Sequence, residues 1–184
     1  MFLFYYYIRM ELKFTKIRDV QSPTRWTETS SWIDFYIPRD LKAEDIKITP
    51  SPERILDVKN FVTEEEIVIP PFKGMLIPSW LKVCMDPWEK WETYDLVLIW
   101  KSWVSVKTNL LVGASVIDND YRGEFNIHLI NPTEQWIILK KGAKIVQWII
   151  RKVQLADLVE VTKDFYETFA DTERWEGWFG STWA

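Results

Sequence analysis

The chain has 184 residues, 47% of them hydrophobic, and carries 23 Lys and Arg against 27 Asp and Glu for a net charge of -4; this is length and apolar content for one domain with its own core. An acidic balance with pI near 5.2 excludes a nucleic-acid groove or an anionic-membrane binder, because both need a basic patch. Cys84 stands alone, which excludes an intrachain disulfide and a cysteine-based zinc site and makes a reducing, cytosolic compartment the simpler reading.

Taken in chain order, Met1-Phe-Leu-Phe-Tyr-Tyr-Tyr-Ile8 is apolar and aromatic but has no basic leader and is far short of a membrane span. Residues 1–9 read as an extension, with Met10 as an alternative start, and residues 10–168 as the domain. Runs of alternating or β-branched residues predict strands over Glu11 to Ile17, Ile33 to Ile37, Ile46 to Thr49, Glu66 to Ile69, Met75 to Ile77 and Leu81 to Cys84. The pattern resumes over Asp95 to Ile99, Ser105 to Leu111, Phe125 to Ile130, Trp136 to Leu139 and Lys144 to Leu155. Pro, Gly, Asp and Asn punctuate these runs, and many short strands so spaced predict an all-β sandwich or barrel. Residues 43–66, charged and holding Pro50 and Pro52, read as an insertion between early strands. Helical signal is weak: Pro52 to Asn60 allows one turn or two, and Asp157 to Thr168 is ambiguous. Residues 169–184 are polar and Gly/Ser/Thr punctuated, a tail that orders only against a ligand or neighbour.

The most informative stretch is Gly113-Ala-Ser-Val-Ile-Asp-Asn-Asp-Tyr-Arg-Gly-Glu124. It places carboxylates at Asp118 and Asp120 and a tyrosine in a glycine-bounded turn between two strand-like runs, the pattern of an active-site hairpin. The plainer reading is a surface turn capped by its Asp residues, with Arg122 paired to Glu124.

Five segments in order decide between them. Ser31-Trp-Ile-Asp-Phe-Tyr36, Lys101-Ser-Trp103, Val116 to Glu124, Lys141-Gly-Ala-Lys-Ile-Val-Gln147 and Arg174-Trp-Glu-Gly-Trp-Phe-Gly-Ser-Thr-Trp183 resemble the five motifs of the trimeric dUTP diphosphatases (dUTPases). The resemblance implies a distorted jelly-roll barrel assembled as a homotrimer, with neighbouring copies sharing each active site and residues 169–184 closing over it as a flexible arm. It implies hydrolysis of dUTP to dUMP and diphosphate by water attack at the α-phosphorus, in the cytoplasm, or the host's cytoplasm for a viral source.

By the same resemblance Asp118 orients and deprotonates the water. Tyr121 packs on the deoxyribose and leaves no room for a 2′-hydroxyl, while backbone groups of Val112, Gly113, Ala114 and Ser115 read uracil. Lys101, Ser102 and Gln147 contact phosphates, with Lys101 where the family more often has arginine, and Asp34 supports the site. In the fifth motif Arg174 pairs with phosphate, Phe179 stacks over uracil, and Gly180, Ser181 and Thr182 donate to the γ-phosphate. Mg²⁺ is expected to be held by the triphosphate rather than by a protein cage. His128, the one histidine, reads as structural.

Tryptophan is the departure. Average glycine usage of about 7% predicts about 13 in a chain this long, yet there are 6 Gly and 12 Trp. Trp32, Trp103, Trp175, Trp178 and Trp183 stand where the motifs carry glycine, and a turn glycine suits Trp80 and Trp88, so weakened turnover is expected. Trp100 and Trp148 read as packing residues, and the sequence gives no account of Trp91 or Trp136. Two other readings remain: a weakly catalytic binding or regulatory protein of the same fold, using residues 43–66 as its contact surface, and a dCTP deaminase-like enzyme, disfavoured by the Lys101-Ser102 segment.

Overall fold

The computed structural model describes residues 11–49, 58–86 and 93–169. The expected extension, most of the Pro52 to Asn60 turn, Trp88, Trp91 and the fifth motif therefore lie outside the described residues. Among the described residues, those up to Gln154 form one compact unit and those from Leu155 onward belong to a second.

The first unit is a β-sandwich. One sheet takes β1 (Glu11–Lys16), β4 (Lys47–Thr49), β6 (Gly74–Asp86), β8 (Leu111–Gly113) and β10 (Glu124–Ile130). Its order is β1-β6-β10-β8, with β4 on the same side of β6 as β1. The other runs β2-β3-β12-β7-β9, from β2 (Thr24–Arg25), β3 (Ile33–Tyr36), β12 (Lys144–Val153), β7 (Thr93–Trp100) and β9 (Val116–Ile117). A smaller ribbon pairs β5 (Glu66–Ile69) with β11 (Ile137–Lys140). All these pairings are antiparallel.

Alternation explains which face turns inward. Along β10, Phe125, Ile127 and Leu129 are buried while Asn126 faces solvent, and β11 alternates the same way. The sheets meet at an aromatic cluster. Phe125 of one sheet lies 5.5 Å from Phe35 and 4.9 Å from Trp148 of the other, and the latter two are 4.7 Å apart. Such pairs add about 0.5–1.5 kcal/mol beyond their buried area. Trp148 is thus a packing residue, although its indole N–H is buried without a partner. Trp100 is half-exposed, and Trp136 stacks on Phe61 at the surface.

Two expectations are corrected. Met75 to Ile77 and Leu81 to Cys84 belong to one strand, β6, whose pairing with β10 slips between Glu124 and Asn126. The extra residues form a bulge in which Trp80 takes φ 56°. Ser105 to Leu111 is not a strand: α1 (Ser102–Thr108) occupies most of it and ends at Asn109, whose left-handed φ of 54° is a common helix stop. Val104 and Val106 mimic strand alternation, but burial of Val104 and Leu110 favours a helical turn there. The strand expected over Ile46 to Thr49 is present as β4, paired with β6 within the stretch read as an insertion. In the second unit, α2 (Lys163–Phe169) is capped by Thr162, whose Oγ1 accepts from Phe165 N at 3.3 Å.

Candidate active site

Antiparallel register builds the first half of the site. Gln147 of β12 stands opposite Asp34 of β3 and Ile99 of β7, on the face away from the buried row of Ile33, Trp148 and Leu98. Lys101 follows β7 and is tied by its backbone N–H to Ile145 O at 3.1 Å. Its Nζ returns to donate to Asp34 Oδ1 at 2.5 Å and to Gln147 Oε1 at 3.5 Å. Lys144 Nζ lies 3.3 Å from Asp34 Oδ2 and 5.3 Å from the Tyr36 ring. Burial acts to lower the Lys144 ammonium, but hydrogen bonds and charges from Tyr36 and Asp34 outweigh it, so its pKa is raised.

Asp34 is only 4% exposed, and a carboxylate so buried is stable only when paired. It holds two ammonium groups side by side next to the Gln147 amide. Two fixed cations and an amide make a place for phosphate oxygens. Asp34, Lys101 and Gln147, from the first, second and fourth motifs, thus converge, and Lys144 and Tyr36 join them without having been singled out. The signal was present for Lys144, which sits in the fourth motif three residues before Gln147. Ser102 opens α1 and is exposed beside Trp103.

The second half is differently placed. The segment 113–124 is not a simple hairpin: β8 pairs with β10 in one sheet, the chain crosses at Ala114 and Ser115, β9 pairs with β7 in the other sheet, and residues 118–123 return. Ala114 takes φ 44°, and Ser115 O accepts from Leu98 N at 2.7 Å, while Val112 and Gly113 of the expected uracil edge stand opposite Leu129 and His128 in the sheet. Asp118 follows β9 and is exposed. Its carbonyl accepts from Tyr121 N at 3.1 Å, and Tyr121 Oη donates to Glu124 O at 2.7 Å. The Tyr121 ring covers Gly123, where an added Cβ would stand 2.5 Å from Cζ.

Arg122 does not pair with Glu124. Its guanidinium bonds Asn119 O and Tyr121 O, closing the turn, while Glu124 Oε1 accepts from Trp80 N at 2.7 Å. Asp118 is therefore held at the tip of a braced loop, not at the end of a hairpin.

Ile117 stands opposite Leu96, which puts Asp118 beside Asp95, whereas Gln147 stands opposite Ile99, four residues farther along, about 13 Å at the rise of a strand. One copy of the chain thus presents Asp118 and the Asp34–Lys101–Gln147 cluster apart. Arg174, Phe179, Gly180, Ser181 and Thr182 lie outside the described residues.

Among the described motif tryptophans, Trp32 and Trp103 are partly exposed and neither takes a positive φ. Their expected backbone strain is absent because Trp32, just before β3, and Trp103, in α1, both keep negative φ. Trp80 is the one at a left-handed position, 2% exposed, with the Arg18 guanidinium 4.0 Å from its ring centroid.

Comparison with known proteins bears on family and fold. A family model described as dUTPase matches residues 42–183, a span that begins after Asp34. The deoxyuridine 5'-triphosphate nucleotidohydrolase of Hydrogenobaculum sp. is 31% identical over 124 residues, covering 66% of this chain and 79% of that one. The enzyme of the same name from Debaryomyces hansenii is 38% identical over 118 residues, covering 64% and 69%. In fold, the chain resembles a Staphylococcus bacteriophage 80alpha dUTPase mutant with dUpNHpp, with a TM-score of 0.64 and 20% identity over 93% of this chain and 97% of that one.

Proposed function

The chain belongs to the dUTPase family, and we propose on that footing that it is a dUTP diphosphatase releasing dUMP and diphosphate. The observation that carries the reading is the family match over residues 42–183. The Asp34–Lys101–Gln147 cluster supports it, because three motifs far apart in sequence meet there in a group suited to phosphate.

In this reading Asp118 hydrogen-bonds the attacking water and takes its proton, a contribution of about 10²–10⁴-fold for a positioned base. Lys101, Ser102 and Gln147 hold the phosphate oxygens and neutralise charge as the leaving diphosphate forms. Lys101 supplies charge without the bidentate fork of an arginine. Asp34 keeps the Lys101 and Lys144 ammonium groups in place rather than entering the chemistry. Tyr121 presents a ring to the sugar, and a 2′-hydroxyl would collide with it. Backbone groups of Val112, Gly113, Ala114 and Ser115 read uracil, and Arg174, Phe179, Gly180, Ser181 and Thr182 close the site from the arm.

Mg²⁺ is the implied metal, and the donor set favours its arrival with the nucleotide. Among the described residues no three His, Cys, Asp or Glu side chains gather into a metal-sized group, and both Asp34 oxygens face lysine ammonium groups. Bound to the triphosphate, the ion would offset the charge that develops on the phosphate oxygens. Homotrimeric assembly is supported by the separation of Asp118 from Lys101 and by the exposed apolar side chains of Leu111 and Val116 on the two edge strands β8 and β9. The same reading carries the expectation of a cytoplasmic protein, or one of a host's cytoplasm for a viral source; separately, no helix among the described residues is long and apolar enough to cross a membrane.

The test is diphosphate release with Mg²⁺ from dUTP and from UTP. The proposal expects release from dUTP, strong preference over UTP, and loss of that preference in Tyr121→Ala. Equal turnover of both nucleotides by the unaltered chain contradicts it.

A further inference from the structure

Among the described residues two carboxylates are buried, Asp34 and Asp95, and both stand on the outer face of the sheet β2-β3-β12-β7-β9. Asp34 holds two lysines. Asp95 holds an arginine. Arg151 of β12 lies directly opposite Asp95 of β7, with Nε donating to Oδ1 at 3.1 Å and Nη2 to Oδ2 at 2.5 Å. Two parallel bonds of this kind fix the plane of the guanidinium as well as its place.

The two partners are unequally committed. Asp95 is 5% exposed, and a carboxylate so buried is stable only when paired. The Arg151 side chain is 58% exposed, and a guanidinium has five N–H donors. Nε and Nη2 serve Asp95, whereas Nη1 has no partner among the described residues and is open to a ligand. The hydrogen bonds and charge of Asp95 raise the Arg151 pKa, so the group remains a cation.

Register says where those donors face. β7 lies between β12 and β9, and the pairing of Leu96 with Ile117 puts Asp95 beside Asp118. Arg151, Asp95 and Asp118 therefore follow one another in a row across three strands about 4.8 Å apart. In reaching Asp95 the Arg151 side chain leans toward Asp118 and carries its cation over β7. Arg122, in the loop of Asp118 itself, has Nη1 spent on Asn119 O and Tyr121 O.

We propose that Arg151 is a phosphate-binding residue of the Asp118 half of the site: held in plane by Asp95, it donates from Nη1 to a phosphate oxygen of the nucleotide whose attacking water Asp118 activates. This rests on the diphosphatase reading above. Asp95 touches no substrate and is the positioning residue, as Asp34 is for Lys101. The planar fork that Lys101 lacks in the second motif is thus supplied from β12, at a position outside all five motif segments.

NMR titration of the full-length chain with dUpNHpp and with deoxyuridine, which has no phosphate, tests the contact. Arg151→Met should weaken dUpNHpp by about tenfold or more, the range for a hydrogen bond to a charged group, and leave deoxyuridine unchanged. That variant also strands the Asp95 charge, so a second one removes it. Asp95→Asn combined with Arg151→Met should regain stability in urea but not affinity for dUpNHpp. Arg151→Lys keeps a charge for Asp95 without the fork, and its dUpNHpp affinity should fall between those of the unaltered chain and Arg151→Met.

Affinity for dUpNHpp restored in the combined variant overturns the inference, since Arg151 would then only neutralise Asp95. Deoxyuridine weakened as much as dUpNHpp overturns it too. Diphosphate release from dUTP by the unaltered chain separates this claim from the one beneath it. Release with dUpNHpp affinity unmoved by Arg151→Met sinks the role of Arg151 alone, whereas an unaltered chain that neither binds dUpNHpp nor releases diphosphate sinks the diphosphatase reading with it.

Discussion

Trp80 and Phe72 share a left-handed backbone, at φ 56° and 53°, yet their side chains have opposite surroundings. A side chain in that region costs roughly 1–2 kcal/mol, so glycine would relieve both backbones. Phe72 is 63% exposed in the turn between β5 and β6, closed by Lys73 N donating to Pro70 O, and little packing opposes the relief. Phe72→Gly should raise stability by about 1 kcal/mol. Trp80 is 2% exposed beneath Arg18, and removing a buried tryptophan costs about 3–5 kcal/mol, more than the strain. Trp80→Gly should therefore lower stability by about 2 kcal/mol, although its backbone is one that glycine favours. Urea midpoints of the two variants check both signs. The sequence pattern pointed to Trp80 as a glycine position, and the dihedral agrees. It could not point to Phe72, since an exposed aromatic after two prolines looks like any turn residue until φ is known.

At the scale of elements, α1 decides how the second motif presents its groups. Val104 anchors it in the core, and Thr108 Oγ1 donates back to Val104 O at 2.6 Å. Lys101 and Ser102 are therefore fixed at its start with Trp103 exposed beside them. The indole adds no backbone strain, so its cost, if it crowds the phosphates, falls on binding and turnover rather than on folding. Trp103→Gly should raise kcat/KM for dUTP by as much as about 10²-fold, the value of one recovered donor, while lowering stability by no more than about 1 kcal/mol. An unchanged kcat/KM would show that Trp103 does not obstruct the site. Strands with clean alternation, such as β10 and β11, were legible in the sequence because each buries one face. The helix at 102–108 was not, because valines at 104 and 106 carry a strand's period and only tertiary packing of Val104 and Leu110 selects the helix. The crossing at Ala114–Ser115 was hidden for a related reason: a two-residue strand such as β9 has no period of its own.

For the whole molecule, the candidate site is divided. The Asp34–Lys101–Gln147 cluster was legible as separate motifs, and register between β3, β7 and β12 brings it together. Asp118 was equally legible, but register between β7 and β9 carries it about 13 Å away along the strand. In the proposed reading both halves must come within hydrogen-bond reach of roughly 3 Å of one phosphorus, which this separation within one copy disfavours. Closed rings of identical chains bring different surfaces of two copies together, so the two halves can be completed across an interface. The central claim is then tested by refolding Asp118→Asn and Gln147→Ala chains together and measuring diphosphate release from dUTP. Each variant alone should be weak. The mixture should recover roughly a quarter of the unaltered activity, because random assembly pairs two intact halves at about one interface in four. Recovery no greater than the average of the separate variants, in a mixture shown to have exchanged subunits, would contradict the account.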